Sequence, residues 1–126
     1  MRTESTETEI RNTCLAWLNT LPGCRFFKRN TGAVTIPATE TTKARFVRFN
    51  ETGMVDIWGV FPGGKHVEIE IKRPGKKPTE EQYRYLAEML TCGCIVYWAD
   101  SIEMCVEKTR ELWIANGRPW QQSWEI

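Results

Sequence analysis

Asp56, Glu70 and Lys72 have the types and spacing for chemistry on an anionic group. Gly53 to Phe61 and Lys65 to Lys72 read as two strands joined by a Pro62-Gly63-Gly64 turn. In the second strand Val67, Ile69 and Ile71 alternate with Glu68, Glu70 and Lys72, the two-residue period of a sheet with one apolar face. If Phe61 and Lys65 close a three-residue loop, Asp56 faces Glu70. Their Cβ atoms would then lie about 4.5–5.5 Å apart, where like charges destabilise each other. A two-residue loop would slip the register by one and turn Glu70 to the other face. The paired glycines permit the odd loop. Two carboxylates pressed together call for a cation. Mg²⁺ takes oxygen ligands, typically one or two carboxylates completed by water and substrate phosphate. Lys72 lies on the same face and reaches a phosphate or the attacking water, but an ammonium has no lone pair with which to bind a metal.

The elements that must position these groups follow from the periodicity. A first helix is expected over about Thr6–Thr20, with Ile10, Cys14, Trp17, Leu18 and Leu21 as its buried stripe and Pro22-Gly23 as its stop. Cys24–Asn30 reads as a strand, residues 33–44 as a loop, and Ala44–Asn50 as an edge strand or hairpin arm. A second helix starts at Thr79, with Tyr83, Leu86, Ala87 and Leu90 buried and Gly93 at its end. Cys94–Ala99 is a continuously apolar strand of central or parallel type. Ser101 caps a third helix that buries Ile102, Cys105, Val106, Thr109, Leu112 and Trp113. The order gives an α/β fold, a mixed β-sheet flanked by helices, and the crossover through the second helix makes the following strand parallel to its neighbour. The tail with Trp120 and Trp124 either folds back on the core or is covered by a second subunit.

At 126 residues the chain forms one domain, residues 1–126. Its net charge is +1, but residues 25–77 carry eleven basic and five acidic side chains, and residues 78–126 carry four and eight. The basic segment contains the carboxylates, which suits a polyanionic substrate. No apolar run approaches the ~20 residues of a membrane span, and the polar start has no signal-peptide core, so a cytoplasmic protein is expected. Five cysteines and a single histidine, His66, argue for reduced thiols over structural zinc.

An Asp followed by Glu-x-Lys on the next strand resembles the PD-(D/E)xK nucleases, and the flanks are similar to the VRR-NUC branch. The matching pieces are Glu9, Arg29 to Gly32, Gly53 to Asp56, Glu70 to Pro74, and Glu81-Gln82, within about residues 7–106. Val55 stands where the family often has Pro. The resemblance implies a restriction-endonuclease-like αβββαβ core and a Mg²⁺- or Mn²⁺-dependent endodeoxyribonuclease, dimeric and acting on branched DNA such as four-way (Holliday) junctions or flaps. It implies catalytic roles for Glu9, Asp56, Glu70, Lys72 and Gln82, with Asp56, Glu70 and the Ile71 carbonyl on the metal. Arg29, Asn30, Arg45, Arg48, Lys65, Arg73, Lys76 and Lys77 form the expected DNA-binding set. Thr6–Glu9 and Thr79–Gln82 equally fit capping boxes, which give Glu9 and Gln82 structural work. Two other readings stand: a binding module of the same fold without catalysis, and a plain α/β domain whose Glu68, Glu70 and Lys72 form a solvated strand face.

Overall fold

The structure, a computed structural model, describes residues 6–29, 33–48 and 53–126, with the side chains of 33–35 and 46–48 left aside. Its order is α1 (Glu7–Leu18), β1 (Arg25–Lys28), β2 (Ala33–Ile36), β3 (Arg45–Arg48), β4 (Ile57–Phe61), β5 (Lys65–Ile71), α2 (Glu80–Thr91), β6 (Ile95–Ala99) and α3 (Ile102–Ala115). A four-stranded sheet runs β1-β4-β5-β6, antiparallel except for the parallel pair β5–β6. The described residues thus form a mixed α/β fold with three α-helices. Among the described residues, no helix is long and apolar enough to cross a membrane.

The turn after Phe61 holds three residues, and Phe61 pairs with Lys65, Trp58 with Glu68 and Ile57 with Ile69. One sheet face carries Ile57, Phe61, Val67, Ile69, Ile71, Tyr97 and Ala99 into the core, where α1 contributes Ile10, Cys14, Trp17 and Leu18. α3 adds Cys105, Val106 and Trp113 to the same core. Thr6 caps α1 by accepting from the Glu9 N–H at 3.1 Å. Asn19 then ties the helix end to β1, accepting from Phe26 N at 2.8 Å and donating to Phe26 O at 3.1 Å.

Two expectations need correction, those for residues 33–44 and for the buried face of α2, and two open ones are settled, for β6 and for the tail. The stretch read as a loop over 33–44 contains β2, which pairs with β3 as a separate two-stranded hairpin. Four residues are too few for alternation to stand out beside a Thr-rich run. β6 is parallel but borders the sheet, paired with β5 alone among the described strands. On α2 only Leu86 of the expected stripe is buried; Tyr83 is 42% and Leu90 60% exposed, and Ala87 is exposed too. The inward side of that helix carries Gln82, Tyr85, Leu86 and Met89, because polar groups on the sheet beneath it, not an apolar stripe, set its rotation. The tail folds back. Trp113, Trp120 and Trp124 meet edge to face at 5.1–5.7 Å between centroids, and Trp17 donates its indole N–H to Trp124 O at 2.7 Å. Trp113 belongs to the core and Trp120 and Trp124 pack against it, the first of the two arrangements expected for the tail.

Gly59 lies under Phe26 where β1 crosses β4. A Cβ there would sit 2.3 Å from Arg25 O and 2.7 Å from Phe26 Cα, so backbone rather than a flexible side chain would have to move. Gly59→Ala is expected to lower unfolding stability by about 2–3 kcal/mol, the upper range for overpacking. Urea unfolding midpoints of the two proteins check it.

Candidate active site

The face of the sheet opposite the core is where the polar side chains of β4 and β5 gather. Asp56 directly precedes β4, and the Arg29 N–H donates to Asp56 O at 2.6 Å, extending the β1–β4 ladder by one residue. The register then sets Asp56 opposite Glu70, and their carboxyl groups share a hydrogen bond. The Ile71 N–H donates to both, at 3.4 Å to Asp56 Oδ2 and 3.2 Å to Glu70 Oε1, so the Ile71 peptide adjoins the pair while its side chain enters the core. Burial and then the Asp56 charge push the Glu70 carboxyl up to about 8, with Lys72 pulling the other way. Burial also raises Asp56, against the Glu70 hydrogen bond, and the charge of Glu7 adds to the rise. In the free protein the pair therefore holds a proton in common.

Lys72 donates from Nζ to Gln82 Oε1 at 3.3 Å. The same oxygen accepts from Thr79 N at 2.9 Å, completing the capping box of α2. One oxygen of Gln82 thus ties the helix start to the lysine. Beside Lys72 opens a cleft of about 610 Å³ between the starts of α1 and α2, lined by Thr6, Glu7, Thr8, Lys72, Arg73, Lys76, Lys77 and Thr79. Asp100 pins the basic loop by accepting from Gly75 N at 3.1 Å.

Glu7, which the sequence reading did not single out, is the α1 carboxylate that lines this cleft. Glu9, two positions on, is about 200° away around the helix, and the charge of Glu7 acts on Asp56. Arg11, one turn further, is a cation that sequence reasoning missed. Its charge lowers Asp56, and its Nε is buried without a partner. The available signal was an i, i+4 pair of opposite charge flanking the Ile10–Cys14 stripe, since Glu7 stands three residues before Ile10 on the same side of the helix.

Of the expected DNA-binding set, Arg73, Lys76 and Lys77 come together. Lys65 does not: it stands at the turn end of β5, seven residues or roughly 23 Å from Lys72. Arg45 is exposed on the separate hairpin. Asn30 and the Arg48 side chain lie outside the described residues. Arg29 is committed elsewhere, its two terminal nitrogens on the Glu68 carboxylate at 2.7 and 3.0 Å. Tyr85 donates to the same carboxylate at 2.9 Å, and His66 bonds to it as well. Burial alone would raise Glu68, but these bonds outweigh it and hold the carboxyl below its usual range. With Glu68 and Glu70 each 1% exposed, the strand face is buried, which overturns the solvated reading.

Mg²⁺ or Mn²⁺ fits the donor set. Two adjoining carboxylates that retain a proton are short of positive charge, and a divalent ion would take the proton's place. Among the described residues no group of three or more His, Cys, Asp or Glu side chains is placed to hold a metal. The chain would supply two carboxylates and leave the other positions to water and substrate oxygens, the habit of Mg²⁺. Comparison with models of known protein families and with curated proteins returned no match.

Two predictions follow from these environments. A carboxyl whose folded pKa is raised stabilises the fold below its unfolded value, near 4.5, and that stability is lost as pH rises toward 8. Metal-free wild type should lose about 5 °C or more in Tm between pH 5.5 and 8.5 relative to Glu70→Gln. Excess Mn²⁺ should restore it in wild type only. Arg29→Ala leaves Glu68 buried and under-compensated, and is expected to cost about 3–5 kcal/mol in urea unfolding.

Proposed function

We propose that the chain is a Mg²⁺- or Mn²⁺-dependent endodeoxyribonuclease of the VRR-NUC type, hydrolysing phosphodiester bonds in branched DNA. The observation that carries this reading is the buried Asp56–Glu70 pair, short of one positive charge, set beside Lys72 and a cleft with three further cations. The order α1-β1-β4-β5-α2-β6, with β2–β3 as an insertion, fits the αβββαβ core of the PD-(D/E)xK nucleases. Asp56 and Glu70 would hold the ion, with the Ile71 carbonyl beside them. A bound divalent ion supplies a more acidic water and a polarised phosphate.

The chain's own groups do the rest. Lys72, fixed by Gln82, points the remaining N–H bonds of its ammonium at a phosphate oxygen, adding positive charge where negative charge grows in the transition state. Glu7 takes the α1 role that the resemblance gave to Glu9. Arg73, Lys76 and Lys77 hold phosphates next to the scissile one, fixing register without reading sequence.

The test is cleavage of linear, flapped and four-way DNA with Mg²⁺ or Mn²⁺ and with chelator. Wild type should cut only with metal. Lys72→Ala should bind DNA within a few-fold of wild type but cleave roughly a hundredfold slower. Glu7→Gln should lose at least tenfold, and Glu9→Gln should stay near wild type. No cutting of any of these substrates by wild type with either ion overturns the nuclease reading. Tight DNA binding in that case would leave the non-catalytic binding module.

A further inference from the structure

The half of the polar sheet face away from α2 is unassigned by the site just described. α2 packs on β5 and β6, and the β1–β4 half carries a row of upright side chains. Phe27 and Trp58, opposed across the ladder, stack at 4.8 Å between centroids and 26° between planes. Trp58 is stacked on its other side by His66 at 6.0 Å and 20°, and the Arg25 guanidinium lies over Phe27 at 4.8 Å. Rings stacked across neighbouring strands stand on the sheet and show their edges to solvent. Phe27 remains 37% exposed.

Trp58 differs from the core tryptophans in its N–H. Trp17, Trp113 and Trp120 each donate to an oxygen of the chain. The indole of Trp58 makes no such bond, and its nitrogen is not among the buried unpartnered atoms, so it meets solvent. An indole N–H is a donor only, and here stacking on both faces fixes its direction. Trp58 follows Asp56 by two residues on the same strand and the same face, about 6.6 Å further along. That is comparable with the step between successive phosphates of a nucleic-acid strand. The neighbouring acid on β5, Glu68, is buried and matched by Arg29, so among the described residues it leaves no exposed carboxylate beside the row to repel a phosphate.

We propose that Trp58 and Arg25 form a second backbone-contact track, on the side of the Asp56–Glu70 pair away from the basic cleft. The indole N–H of Trp58 donates to the phosphate next to the scissile one, and the Arg25 guanidinium pairs with the phosphate beyond it. The strand thus crosses the pair between a lysine-rich cleft and a neutral aromatic row, and is gripped on both sides of the cut. This rests on the nuclease reading and names its substrate contacts.

The probe is a linear duplex in which one phosphate at a time is replaced by a neutral methylphosphonate. Binding is measured by fluorescence anisotropy in Ca²⁺, beside single-turnover cleavage in Mn²⁺. Trp58→Phe keeps the stack and removes only the N–H. In wild type, neutralising either of the two phosphates on the aromatic side should weaken binding by about three- to tenfold. Trp58→Phe should weaken the unmodified duplex similarly and become insensitive at the nearer position alone. Arg25→Gln should become insensitive at the farther one and lower the salt slope by about one. Arg84→Gln, an exposed change on α2, should keep the wild-type pattern. If wild type binds and cuts DNA while Trp58→Phe keeps full sensitivity at every phosphate, the track is wrong and the nuclease reading stands. If Trp58→Phe instead changes only the elution volume in gel filtration, the row meets a second copy of the chain and the proposal is overturned. Wild type that neither binds nor cuts linear, flapped or four-way DNA overturns both.

Discussion

Asp56 and Glu70 oppose each other because the loop between their strands has an odd number of residues. In a sheet a one-residue slip moves every side chain of a strand to the other face. With three residues in the turn, the apolar set of β5 enters the core while Glu68, Glu70 and Lys72 share the other face with Asp56 and Trp58. One register therefore fixes both the core and the site. Any shift that relieved the carboxylates would also expel Val67, Ile69 and Ile71, whose burial is worth about 1.5–3 kcal/mol each. The fold holds the two acids together with energy drawn from the opposite face.

The same economy shapes α2. It buries Leu86 but leaves Tyr83 and Leu90 in solvent, so its seat on the sheet depends heavily on polar pins. Tyr85 reaches Glu68 and Gln82 reaches Lys72. Both pins end on side chains within or beside the carboxylate site. The placement of the helix and the geometry of the lysine are consequently one problem, solved by one capping glutamine.

What was legible in the sequence was what periodicity and capping chemistry encode. The stripe Ile10–Cys14–Trp17–Leu18, the alternation of β5, the odd turn, the parallel β6 and the caps at Thr6, Thr79 and Ser101 all stand as read. The misses share a cause: they depend on what lies across from a residue. A four-residue strand such as β2 is defined by its partner. The rotation of α2 follows the polar groups beneath it. That Glu7 lines the cleft is a matter of helical phase relative to a loop on another element. Arg29 matched a motif, yet its partner was an acid on β5 that the motif does not include.

Glu68 and Glu70 sharpen the distinction between a buried acid whose charge is matched and one whose charge is not. They lie on the same strand and the same face and are equally buried, so desolvation works against both charges. Glu68 is met by a guanidinium, a phenol and an imidazole, and its carboxyl is held below the usual range. Glu70 is met by another carboxyl and one long backbone N–H bond, and is pushed up to about 8. Nothing in the covalent geometry required this difference; an arginine placed at Glu70 as Arg29 is at Glu68 would have neutralised it. The chain satisfies one buried acid fully and leaves its neighbour in want of a cation at the edge of an open, basic cleft. Burial and the facing Asp56 explain the cost of that arrangement, which a shared proton offsets at the expense of the charge that Glu68 keeps.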